Sequence, residues 1–222
     1  MGRISIIGGT GELGFWLALR LARAGLEVVI GSRRREKAVE AAERGLQLIG
    51  KGHSLTGEVN TQAVRDSKML FFSIPFQGLD KIVSDIKQSI RQDCIAVSCI
   101  VPFDEAGGVS AAEVLSSHLG NNATVVSALH TVGAERLAKL DEPVNCDTLV
   151  FGDSWEAKRR VAEILNRVTG LRPVDGGPLK NSRIGEQLVR ILISINRRYG
   201  VSDAGILISG LSDGLVREKW GL

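Results

Sequence analysis

The sequence predicts an α/β protein in which a doubly wound parallel sheet is followed by a small C-terminal helical extension. Three observations carry that prediction. Strand-like and helix-like segments alternate along the chain, a glycine-rich turn joins the first strand to the first helix, and several later strands are short, continuous apolar runs.

Taken in order, residues 3–8 (RISIIG) form an apolar, β-branched strand, and residues 13–24 place Leu13, Leu17 and Leu21 on one helical stripe that Gly25 ends. Residues 27–31 (EVVIG) are a second strand, and residues 36–48 an Ala-rich, charged helix. Residues 51–58 (KGHSLTGE) are polar and glycine-punctuated and read as a loop near the ligand end of the sheet. Residues 69–74, 95–100 and 124–128 continue the sheet as buried-type strands, the first stopped by Pro75. A strand at 148–152, a helix at 155–168 capped by Ser154, and a strand at 172–175 carry the alternation past six strands, until Gly176, Gly177 and Pro178 break it. Residues 182–199 form a long helix whose Leu188, Ile191, Leu192 and Ile195 make an apolar stripe that Ile184 and Val189 widen. So wide a stripe implies burial against the sheet or against a second copy, and a homodimer is expected. The natural division is a nucleotide-binding domain over residues 1–150 and a smaller part over 151–222.

Bulk composition narrows the classes. A chain of 222 residues, 44% hydrophobic, can bury a sizeable core. No apolar run approaches the roughly 20 residues of a membrane span, and no signal-like segment follows Met1, so a cytoplasmic protein is expected. Cys94, Cys99 and Cys146 are an odd set without a paired spacing, which argues against disulfides and zinc. The net charge of +3 is mild, with arginines gathered at Arg33, Arg34 and Arg35, a pattern that fits small anions better than nucleic acid.

Gly9-Thr10-Gly11-Glu12-Leu13-Gly14 has the spacing of a dinucleotide-binding turn, and it lies directly between a strand and a helix. There Gly11 admits a pyrophosphate, the N–H groups of the helix start face it, and Gly14 allows close helix–strand packing. The fold is thus of Rossmann type. At the end of the second strand an NAD site carries an acid, whereas this chain has Ser32, Arg33, Arg34 and Arg35, with Lys37 a turn later. Guanidinium groups pair with phosphate, so NADP is the expected cofactor, although Arg34 and Arg35 also read as solvated helix-start residues.

With these pieces placed, the chain resembles the NADPH-dependent reductases of coenzyme F420, also called F420H2:NADP oxidoreductases, over nearly its whole length. The resemblance rests on the order and spacing of several segments. They are Gly8-Gly9-Thr10-Gly11, Gly31-Ser32-Arg33, Ser73-Ile74-Pro75, Ile100-Val101-Pro102, Ser127-Ala128-Leu129-His130-Thr131, Leu171-Arg172-Pro173, Gly177-Pro178-Leu179 and Asn181-Ser182-Arg183. It implies a deazaflavin in the cleft between the Rossmann domain and the C-terminal part, stacked on the nicotinamide. Ser73, Ile74 and Pro75 would line the nicotinamide side, while Val101, Pro102, His130, Thr131 and Val132 would approach the deazaflavin. Independently, these positions fall at carboxyl ends of predicted strands, where open α/β sheets bind ligands. Proline also ends strands without any ligand, and His130 reads equally as a satisfied strand-end histidine. His53 and His118 read as surface residues. No side chain is expected to be an obligatory acid or base, since the carriers supply the chemistry. Two other readings stay open: an NADPH-dependent reductase of an imine, ketone or metal-bound flavin, and a non-catalytic NADPH sensor signalling through a partner, against which stands the lack of a partner-binding tail beyond the short amphipathic residues 211–222.

Overall fold

The computed structural model describes residues 2–103 and 108–222. Its centre is one eight-stranded sheet in the order β3-β2-β1-β4-β5-β6-β7-β8. The strands are β1 (Arg3–Ile7), β2 (Val28–Ser32), β3 (Leu55–Val59), β4 (Ser67–Phe72), β5 (Cys94–Ser98), β6 (Ala123–Ser127), β7 (Cys146–Gly152) and β8 (Leu171–Gly177). The order reverses at β1, between β2 and β4, and places a cleft at the carboxyl ends of those strands.

Period-two burial explains the layers. Ile4 and Ile6 of β1 face one apolar cluster with Leu17 and Leu21, whereas Ile7 faces another with Leu70 and Phe72. On the first face lie α1 (Glu12–Arg23), α2 (Arg35–Ile49) and α7 (Trp155–Leu165), and on the second α4 (Leu79–Ile86) and α5 (Ala111–Leu119). Ser154 caps α7 by accepting from Ala157 N–H at 3.2 Å. Two short helices, α3 (Asn60–Ala63) and α6 (Ala134–Ala138), follow β3 and β6, and the long helix α8 (Ser182–Tyr199) spans the range expected from its periodicity.

The structure departs from the sequence reading in four places. Residues 51–58 do not form a loop throughout: β3 pairs in parallel with β2, Val29 against Thr56 and Gly31 against Glu58. Gly57 is there for close packing, since a Cβ on it would stand 2.1 Å from the Ala38 carbonyl oxygen of α2. Secondly, β7 runs antiparallel to β6 before β8 returns parallel to β7. The sheet continues through both parts of the chain, with residue 150 inside β7. Thirdly, β8 extends to Gly177 instead of stopping before Gly176. Finally, the last segment docks on its own chain. Trp220 of α9 (Asp213–Trp220) is buried, donates from its indole N–H to Pro173 O at 2.7 Å and stacks on Trp155 at 5.0 Å. All three cysteines are free and buried, and burial pushes the Cys94 thiol up to about 12. Among the described residues no helix is long and apolar enough to cross a membrane.

Candidate functional site

The site begins with the turn after β1. Gly8 has φ +82°, and a Cβ on it would lie 2.2 Å from the Ser73 carbonyl oxygen, so glycine lets the exits of β1 and β4 touch. A Cβ on Gly14 would stand 2.7 Å from the Gly8 oxygen of the same turn, whereas a Cβ on Gly11 would meet only that oxygen at 3.3 Å. Gly11 is the N-cap of α1 and no side chain caps it, which leaves the helix start facing outward. Gly9 is buried; Glu12 is exposed and Leu13 packs against the core, so what they offer a ligand is their backbone.

Around this turn lies a cavity of about 580 Å³. Thr10 and Gly11 form its base, Ser32, Arg33, Arg34 and Lys37 one wall, and Ser73, Ile74 and Pro75 the opposite wall. Arg35 is engaged elsewhere, with Nε and Nη2 donating to Glu58 at 3.1 and 3.3 Å, and this pairing holds the Glu58 carboxyl below the usual range. Three exposed cations therefore converge where β2 ends, beside the Ser32 hydroxyl, which accepts weakly from Arg34 N–H at 3.4 Å.

Beyond β4 the strand ends step along the sheet edge. Ser73 N–H donates to Ile7 O (2.9 Å), Cys99 N–H to Phe72 O (3.0 Å) and Ala128 N–H to Ser98 O (3.0 Å). Val101 and Pro102, both half-exposed, follow the end of β5. His130 is buried; its Nε2 donates to Ile100 O at 3.2 Å, its Nδ1 has no partner among the described residues, and burial pushes its pKa down to about 4, so the ring is neutral. Just before it, Leu129 is held at φ +72°, a conformation unfavourable for a branched side chain, with its N–H bonded to Thr148 Oγ1 at 2.7 Å. Thr131 turns inward, donating from Oγ1 to Asp147 O at 2.5 Å, and Val132 is buried in the core. The structure thus gathers Thr10, Gly11, Ser32, Arg33, Arg34, Lys37 and Ser73 to Pro75 into one cavity, whereas Gly9, Glu12, Leu13, Val101, Pro102 and His130 to Val132 are not among the residues that line it.

Residues 3–102 match the family described as NADP oxidoreductase, coenzyme F420-dependent. The F420-dependent NADP reductase of Methanocaldococcus jannaschii is 35% identical over 223 residues, covering 94% of this chain and 99% of its own. That of Methanothermobacter thermautotrophicus is 34% identical over 224 residues, covering 95% and 96%. This chain belongs to the coenzyme F420-dependent NADP oxidoreductases. The crystal structure of a putative F420-dependent NADP reductase from an Arthrobacter species superposes with a TM-score of 0.80 at 19% identity, over 94% of this chain and all of the other. An imine reductase from a Pseudomonas species superposes at 0.61 with 18% identity, over 89% and 64%, and at these identities the likeness is one of fold.

Four residues of this oxidoreductase line the cavity without having been singled out as cofactor contacts: Gly8, Asn60, Gly78 and Ile82. Asn60 was hidden because β3 was taken as loop; the alternation Leu55-Thr56-Gly57-Glu58-Val59 is the signal that would have placed it at a strand end. Gly78 and Ile82 come from the 3₁₀ turn and helix after Pro75, and only the fold turns them toward the cavity.

Proposed function

We propose that the protein transfers a hydride between NADPH and coenzyme F420. The observation that carries this is a cavity that joins an open Gly11 turn and three exposed cations to an apolar wall at Ile74 and Pro75. A dinucleotide with a 2′-phosphate fits the first half: the start of α1 takes the pyrophosphate, and Arg33, Arg34 and Lys37 take the added phosphate. When both carriers are bound, the nicotinamide and the deazaflavin supply the hydride chemistry themselves. The chain's own contribution is alignment, since holding two flat rings at near-attack distance is worth on the order of 7 kcal/mol or more. Val101 and Pro102 border the deazaflavin, while Thr131 and Val132, turned inward, hold their own segment against the core. His130 is neutral and spends Nε2 on Ile100, so it positions the edge and is no proton donor at pH 7.

The test is NADPH oxidation by the purified protein with and without F420. Turnover only with F420 is expected, and His130→Ala should keep most of the single-turnover rate with both carriers saturating. Oxidation of NADPH with an imine or ketone in place of F420 would redirect the reading to another reductase, and a rate loss of several orders of magnitude in His130→Ala would make that residue catalytic.

The same reading includes a cytoplasmic homodimer. On α8, Ile184 and Ile191 are each 57% exposed, with Leu188 and Ile195 half-buried along the same stripe. Light scattering at micromolar concentration should give twice the chain mass, and Ile191→Asp should halve it. A monomer before any substitution would count against the dimer.

A further inference from the structure

Asn60 stands where β3 ends and α3 begins, and its side chain leans on the backbone of β2. A Cβ on Gly31 would stand 2.8 Å from Asn60 Oδ1, so glycine at that position is what makes room for the amide. The residue is 7% exposed, and its buried Oδ1 has no hydrogen-bond partner among the described residues. A buried acceptor left unpaired is costly, and an apolar side chain of similar shape would avoid that cost. Helix capping does not account for the amide either, because the N-cap of α3 is Val59 and Asn60 lies in the first turn.

Asn60 does line the cavity. It follows Val59, which pairs with Ser32 across β2 and β3, and so enters beside the wall that carries the cations. Gly78 and Ile82 line the cavity as well, and a Cβ on Gly78 would meet only Ile82 Cδ1 at 3.7 Å, so the two adjoin as one apolar surface. α3 and α4 are in contact, which makes that surface and Asn60 parts of neighbouring elements.

One part of the dinucleotide matches this group. The Gly11 turn takes the pyrophosphate, Arg33, Arg34 and Lys37 take the 2′-phosphate, and Ile74 with Pro75 borders the nicotinamide. The adenine base is then the part of the ligand without a seat, while Asn60, Gly78 and Ile82 are the lining without a role. A purine is a flat apolar body whose rim carries donors and acceptors. A carboxamide carries one of each kind, and asparagine pairs in two-pronged fashion with the amino group and neighbouring ring nitrogen of adenine.

We propose that Asn60 is a specificity-determining residue for the nucleotide, its carboxamide reading the rim of the adenine base while Gly78 and Ile82 border the ring. Oδ1 accepts from the 6-amino group and Nδ2 donates to the adjacent ring nitrogen. The last torsion of asparagine is soft, so the amide turns to meet the base without moving the backbone. This rests on the reading that the cavity holds NADP and is independent of what accepts the hydride.

The experiment titrates the full-length protein and Asn60→Ala by calorimetry with NADP, 1,N6-etheno-NADP and adenosine 2′,5′-bisphosphate, with thermal melts to check the fold. The etheno bridge ties the 6-nitrogen to the adjacent ring nitrogen and leaves no N–H on that edge, and the bisphosphate keeps the base and lacks the nicotinamide. The parent protein is expected to bind NADP about tenfold or more tightly than etheno-NADP. Asn60→Ala is expected to weaken NADP and the bisphosphate about tenfold, the loss of a hydrogen-bonded pair in a buried site, and to bring NADP and etheno-NADP within about threefold of each other. Equal affinity of the parent for NADP and etheno-NADP would overturn the proposal. So would a loss of the same factor for both in Asn60→Ala, since the amide would then serve the ribose or the fold. Should Asn60→Ala not fold, Asn60→Ser is measured against the same outcomes, and the parent's ratio decides without any variant. Binding of NADP with no turnover of F420 would overturn the proposed function and leave the adenine contact standing, whereas no binding of NADP would overturn both.

Discussion

Replacing Arg33 with glutamate is expected to lower kcat/KM for NADPH by about 10²- to 10³-fold and to leave NADH turnover within about threefold. A charge-assisted hydrogen bond to phosphate contributes roughly 1.5–3 kcal/mol, and reversing the charge adds repulsion; each 1.36 kcal/mol is a factor of ten. Geometry sets Arg33 and Arg34, both on the cavity wall, apart from Arg35. Arg35 is committed to Glu58, and Arg34 gives its backbone N–H to Ser32 at the start of α2, while Arg33 lies on the cavity wall directly after Ser32. NADH has no phosphate at that position, so it loses nothing when the guanidinium goes. Steady-state kinetics with both nucleotides checks this. Equal use of NADPH and NADH by the parent protein, or an equal loss with both in Arg33→Glu, would show that the cations serve another purpose.

Gly11→Val is expected to abolish measurable binding of either nucleotide, a loss of about a hundredfold or more, while the protein stays folded. The two effects separate because of what surrounds the position. Gly11 has extended backbone angles, φ −80° and ψ 166°, which valine adopts readily, and its Cβ would meet only the Gly8 oxygen at 3.3 Å. The remaining direction is the cavity, where the pyrophosphate must approach the backbone. Gly8→Ala gives the contrasting result, since its Cβ would be driven into the Ser73 backbone at a positive φ, and the fold itself should suffer. Thermal melts beside nucleotide titrations distinguish the two. Full NADPH binding by Gly11→Val would remove the turn from the site.

Much of this was legible before any coordinates. The glycine spacing between a strand and a helix is a local steric requirement, and local requirements are written in consecutive residues, so the turn from β1 into α1 is legible directly. Ser32, Arg33, Arg34 and Lys37 line the cavity beside that turn because they follow β2, the strand paired with β1. The 182–199 helix matched α8 residue for residue, because its period is strong and Gly200 ends it in the left-handed conformation. β3 was missed because its composition is that of a turn. Gly57 looked like punctuation, whereas its absent side chain makes room for the backbone of α2, a contact between elements that no single segment encodes.

By itself, then, the sequence determined the fold class, the glycine turn between β1 and α1 and the cations gathered at the end of β2, since each follows from short-range sterics or charge. Tertiary structure alone decided the rest. It turned Thr131 into the core toward Asp147, fixed His130 as a neutral support for Ile100, brought Asn60, Gly78 and Ile82 to the cavity, and carried Glu186 from α8 to the start of α5. Each of these outcomes depends on which way a side chain points after distant elements have packed. Packing direction is set by the shape and polarity of the partner surface, and that partner lies 16 residues away for Thr131, 30 for His130 and 75 for Glu186.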